Sequence, residues 1–114
     1  MVRRDLEFRI RSMLVDYDGE VRRWHAEEPS DEQRWLLKTS IRNLCKSKHN
    51  DGDIDESLVA GAHSFLDVLH RRRQNLPDPP DFPAKSTTQA PDYHLDDFIA
   101  DLDAATRLFA YLPG

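Results

Sequence analysis

A chain of 114 residues with 39% apolar and 32% charged content is the size of one domain with a single core. No apolar run approaches the roughly 20 residues of a bilayer-spanning helix. The single Cys45 cannot close an internal disulfide, and four glycines with little Val/Ile/Thr alternation argue against a β-sandwich.

The net charge of −5 is unevenly placed: residues 1–74 carry 14 basic and 14 acidic side chains, residues 75–114 carry two and seven. An acidic chain starts at a disadvantage against nucleic acid unless a local basic stripe offsets it. The basic start, Met1 to Asp5, is not followed by an apolar block. No export leader is therefore expected, and a reducing cytosol is the expected compartment.

The first helix is expected over about 3–27. Leu6, Ile10, Met13, Leu14, Tyr17, Val21 and Trp24 step by three and four, which puts them on one face. An interior Gly19 invites a bow, and Pro29 disfavours helical geometry at Glu28. A second helix, about 31–48, opens on Ser30 with Gln33 in a capping-box pattern. Its core side is Leu37, Ile41, Leu44 and Cys45. Trp35 and Leu36 point elsewhere, as on a helix touched from two directions.

After a turn through His49 to Gly52, a third helix is expected over about 54–74, capped by Asp53 with Glu56. Its expected face is Ile54, Leu58, Gly61, Ala62, Phe65 and Leu69, with Gly61 and Ala62 allowing a close neighbour. Pro77 limits it. Residues 75–91 hold five prolines and form a long connection, either wrapped on the surface and pinned by Phe82 or loose. The last helix, about 93–112, shows the stripe Leu95, Phe98, Ile99, Leu102, Ala105 and Phe109. The expected architecture is an all-α, four-helix bundle-like single domain over 1–114: three antiparallel helices, then a C-terminal helix of open direction.

Candidate chemistry is thin. His63, Asp67 and His70, extended by Glu56, have metal-like spacing, but the trio lies opposite Phe65 and Leu69 on an expected solvated face without supporting groups. Asp51 to Asp55 departs from a calcium loop at its sixth and twelfth positions, Glu56 and Ala62. Glu27, Glu28, Asp31 and Glu32 are split by Pro29. Cys45 lies on an apolar face, and no phosphate-cradling loop is present. Neither an enzyme nor a bound metal or cofactor is expected.

Binding is the expected mode. Phe8 and Val15 are one heptad apart on the back of the first helix, with Ala26 in line, and the turn from Leu108 to Leu112 is apolar all round. The leading expectation is a cytosolic interaction module (an adaptor, small subunit or inhibitor) that binds a protein partner or self-associates. Its anchors would be Phe8, Val15, Trp35, Leu108, Tyr111 and Leu112.

The alternative is a nucleic-acid-backbone binder using Arg34, Lys38, Arg42 and Lys46, spaced by four, with Arg71, Arg72 and Arg73. A variant of it has Asp96, Asp97, Asp101 and Asp103 occupy another protein's nucleic-acid site.

Overall fold

The computed structural model describes residues 4–48, 53–80, 82 and 92–110. Four helices follow in order: α1 (Arg4–Ala26), α2 (Asp31–Lys46), α3 (Glu56–Arg73) and α4 (Leu95–Leu108). The chain is an all-α domain, and apart from one isolated bridge the described residues form no β-structure.

α1 runs through Gly19 without interruption, and its expected face is the buried one: Leu6, Ile10, Met13, Tyr17 and Trp24 are buried, Leu14 and Val21 partly so. α2 begins as its capping box predicts. The Ser30 backbone N–H donates to Gln33 Oε1 (3.0 Å) and the Gln33 N–H donates to Ser30 Oγ (3.2 Å). Leu36 is fully buried beside Leu37, Ile41 and Leu44, because α2 has α3 on one side and α4 on the other.

The start of α3 differs from expectation. Ile54 pairs with Lys48 in an antiparallel bridge, and the Asp55 N–H donates to the Ser47 carbonyl (2.7 Å). That extended pairing delays the helix, so the cap is Asp55, not Asp53; its Oδ1 accepts from the N–H groups of Ser57 and Leu58.

The buried face of α3 is also rotated, to Val59, Ala62, Leu66, Val68 and Leu69, with Leu58 and Phe65 half-buried at its flank. α2 takes most of this face and α1 the rest. Gly61 does serve a close approach: a Cβ there would lie 3.3 Å from Asn43 Nδ2 on α2.

α3 ends in a left-handed Asn75 (φ 58°). The Leu76 N–H donates to the Arg71 carbonyl (2.8 Å) and the Asn75 N–H to that of Arg72 (3.2 Å), the paired bonds of a Schellman stop. The proline-rich segment then folds back. Arg72 grips Asp78 with two bonds of 3.1 and 3.0 Å, holding that carboxyl below the usual range, and Phe82 meets Phe65 edge-on at 5.5 Å. As far as Phe82 the connection wraps the surface.

α4 is shorter than expected at both ends. Tyr93 precedes the helix, fully buried, while the His94 N–H donates to Asp97 Oδ2 (2.9 Å) to open it. After Leu108 the chain leaves helical geometry and Phe109 tucks into the core.

Contacts along the helices give their directions. Ser40 of α2 bonds to Ala62 of α3 and Trp35 meets Phe65, so α2 and α3 are antiparallel. Glu20 of α1 meets Arg73, so α1 runs with α3. Tyr17 meets Phe98 and Trp24 meets Tyr93, which sets α4 against α1 and along α2. The first three helices thus run up, down, up as expected, and the fourth runs down. α1 lies mainly on α4, not flat against α2.

Tyr17 reaches α2 across the centre. Its hydroxyl donates to Ser40 Oγ (2.5 Å), and Ser40 donates to the Ala62 carbonyl (2.6 Å). Burial pushes the Tyr17 phenol well above its ordinary range, so it remains a donor. Ser40→Ala would orphan that hydroxyl inside the core. The expected loss is about 1–3 kcal/mol, read as a lower midpoint in urea denaturation.

Candidate interaction surface

The exposed side of α1 is the largest departure from a buried-apolar pattern. Phe8 is 73% exposed and Val15 72% exposed. Among the described residues no helix covers them: α4 and most of α3 pack on the other side of α1, where Ile10, Met13 and Tyr17 are buried, and α3 reaches this side only at His63. Beside Phe8 runs a shallow groove lined by Asp5, Arg9, Ser12, Asp16 and His63 of α3. Gly19 continues the line, and a Cβ placed there would meet nothing within 4 Å. Ala26 closes it, also exposed. The result is an apolar line flanked by arginines and carboxylates, rigid because the other face of its helix is locked into the core.

The remaining expected anchors divide. Trp35 is half-buried and edge-on to Phe65 at 5.4 Å, so its ring already serves the Trp35–Phe65–Phe82 stack. Leu108 is 39% exposed at the end of α4, while Phe109 beside it is buried. Tyr111 and Leu112 lie outside the described residues.

The middle of the basic stripe of α2, Lys38 and Arg42, faces Tyr93 and α4. Arg42 Nε lies 3.3 Å from Asp101 Oδ2, and Lys38 and Arg42 both sit over the Tyr93 ring, 5.8 and 5.7 Å from its centre. Tyr93 donates to Asp101 Oδ2 (2.6 Å); burial and that carboxylate push its phenol far up. Arg34 pairs with Asp31, and Lys46 is exposed. The α3 arginines are likewise engaged: Arg71 with Asp67 (2.9 Å), Arg72 with Glu32 and Asp78, Arg73 with Glu20. Of the acidic set on α4, Asp97 caps the helix, Asp101 meets Arg42 and Asp103 pairs with Arg107, leaving Asp96 exposed.

Comparison with family models, curated proteins and solved structures finds no match.

The metal-like trio does not converge. His63 sits by Phe8, Asp67 accepts from Arg71, and His70 turns towards Glu20 on α1 at 3.5 Å. That side of α3 is thus partly covered, not solvated as expected, because α1 packs along it. Glu27 and Glu28 line a hollow at the α1–α2 junction with Arg23 and Arg73, whereas Asp31 and Glu32 are tied to arginines elsewhere. Asp51 and Gly52 lie outside the described residues. Cys45 is half-buried, and burial with the nearby Asp101 pushes its thiol up to about 11, the opposite of an activated nucleophile.

One group was missed: Glu20, 3% exposed, whose carboxylate meets Arg73 at 2.5 Å. Its signal was present. Met13, Tyr17, Glu20 and Trp24 step by four, three and four, so Glu20 occupies a core position.

Proposed function

We propose that this chain is a small cytosolic interaction module that works by docking, not catalysis, with the outer face of α1 as its contact surface. The observation that carries the reading is the pair Phe8 and Val15, one heptad apart and nearly three-quarters exposed on a helix anchored by its other face. Fixed apolar side chains bind with little loss of freedom, and the charged flanks can set the partner and its register. Leu108 adds a second apolar point on α4. The unpaired thiol of Cys45 suits a reducing compartment.

The backbone-binding alternative is less well supported, since five arginines it would use (Arg34, Arg42, Arg71, Arg72 and Arg73) carry carboxylate partners within the fold. A phosphate would have to displace them.

The test is capture of protein partners from nuclease-treated native extract by the tagged chain and by Phe8→Asp. The parent is expected to retain a stoichiometric protein, and the variant to lose it while its helical circular dichroism is unchanged. Retention by Phe8→Asp would remove α1 from the contact. Loss of every partner on nuclease treatment would move the weight to the basic residues of α2 and α3.

A further inference from the structure

We infer that the occupant of the α1 face is a second copy of this chain, laid antiparallel across it; this rests on the interaction reading above and names its partner. Phe8, Ser12, Val15 and Gly19 step by four, three and four along one line, with Phe8, Val15 and Gly19 exposed and Ser12 half-buried beside His63. Phe8 projects as a knob, and Gly19, with no side chain and open space about it, leaves a gap in the side-chain surface of the helix that a knob can enter. Knob and gap are three turns apart, about 16 Å along the axis at 1.5 Å per residue. A two-fold axis midway between Met13 and Leu14 brings Phe8 of each copy level with Gly19 of the other, and Val15 level with Ser12. The face is then self-complementary, as a two-fold contact requires.

The flanking charges select this direction. In an antiparallel pair each flank meets the same flank of the other copy. On one flank Arg9 comes beside Asp16 of the second copy, and Asp5 beside Arg23. On the other, Arg11 comes beside Asp18. All six are exposed, and every contact occurs twice. Arg11 donates from Nε to Glu7 at 3.0 Å and Asp18 meets Arg22 through Oδ2 at 3.4 Å, so the contact with the second copy uses the terminal nitrogens of Arg11 and the other oxygen of the exposed Asp18. The contact of Arg4 with Arg22 at the rim is like-charged. A parallel pair does worse: opposite flanks meet, so Arg9 falls beside Arg11, Asp16 beside Asp18, and Arg22 beside Arg23, three like-charged contacts against the one attractive contact of Arg4 with Asp5, while Phe8 meets Phe8 and the gaps at Gly19 stay empty.

The experiment is sedimentation velocity on the full chain over roughly 1–500 µM. A reversible monomer–dimer equilibrium is expected. Phe8→Asp should raise Kd by about a hundredfold, since each substitution acts at two symmetric points. Gly19→Leu should raise it by about tenfold or more, yet leave the monomer as stable or more stable, because leucine is the better helix former and has room. Arg9→Asp and Asp16→Arg should each weaken the dimer, and the double variant should restore it to within about threefold, because each copy then supplies both halves of the swapped pair.

A chain that stays monomeric at every concentration overturns the inference, as does a dimer indifferent to Gly19→Leu or one the double swap fails to restore. A monomer that still captures a different protein through Phe8 overturns self-pairing and leaves the interaction reading standing; a monomer without Phe8-dependent capture overturns both.

Discussion

Arg73→Ala is expected to destabilise the fold by about 3–5 kcal/mol, because it strips the arginine partner from a carboxylate that is almost wholly buried. Glu20 is buried between α1 and α3, with Arg73 at 2.5 Å and His70 at 3.5 Å. Burial by itself raises the Glu20 pKa; the hydrogen bonds and charges of His70 and Arg73 outweigh it and hold the carboxyl below its ordinary value. A folded-state value below the unfolded one gives stability that is present above the unfolded pKa and lost as pH falls through the folded one. The native protein should therefore weaken on acidification below the ordinary glutamate range.

In Arg73→Ala the burial effect is left with less opposition. The deficit against the native chain should be largest near neutral pH and narrow as acid neutralises Glu20. Urea denaturation at pH 7 and at about pH 4 measures both points. Glu20→Gln should cost less than Arg73→Ala, since an amide is cheaper to bury than an unpaired charge. Equal losses for the two at pH 7 would show that Arg73 acts through packing instead.

Phe98→Ala should cost a similar amount, about 3–5 kcal/mol, and lower Tm by roughly 10–20 °C. Phe98 is fully buried among three rings: Tyr17 at 6.4 Å, Trp24 at 5.9 Å and Tyr93 at 6.3 Å. α4 buries only Phe98 and Ala105 from within its own length. Truncation should thus loosen α4 before the α2–α3 pair, which is joined by the Asp55–Ser47 and Ser40–Ala62 bonds. Hydrogen exchange should show α4 amides losing protection while those of α2 and α3 keep most of theirs. Uniform loss across all four helices would mean that the domain unfolds as one unit.

Much of the architecture was legible from spacing. The face of α1 and the cap of α2 depend on residues within one or two turns of each other, so local order carries them. The outward position of Phe8 and Val15 followed from the same periodicity. Where expectation slipped, the cause lay elsewhere in the chain. Asp55 caps α3 in place of Asp53 because Lys48 pairs with Ile54. Phe65 was placed on the core face and instead stands at its edge, drawn by Trp35 and Phe82 from two other segments. Tyr93 gave no periodic signal, since it lies outside the helix it supports.

The candidate surface divides in the same way. The sequence by itself determined that the chain is helical, where three of its helices begin or end to within a few residues, and which side of α1 turns outward, because helical periodicity and caps are short-range. Only the tertiary structure decided that α4 runs antiparallel to α1, that it engages Arg42 in the basic stripe of α2, and that Phe8, Val15 and the open site at Gly19 stay uncovered by the other described helices. Those outcomes depend on how separate helices share a limited buried surface, and no local rule specifies which of several apolar faces another helix will cover.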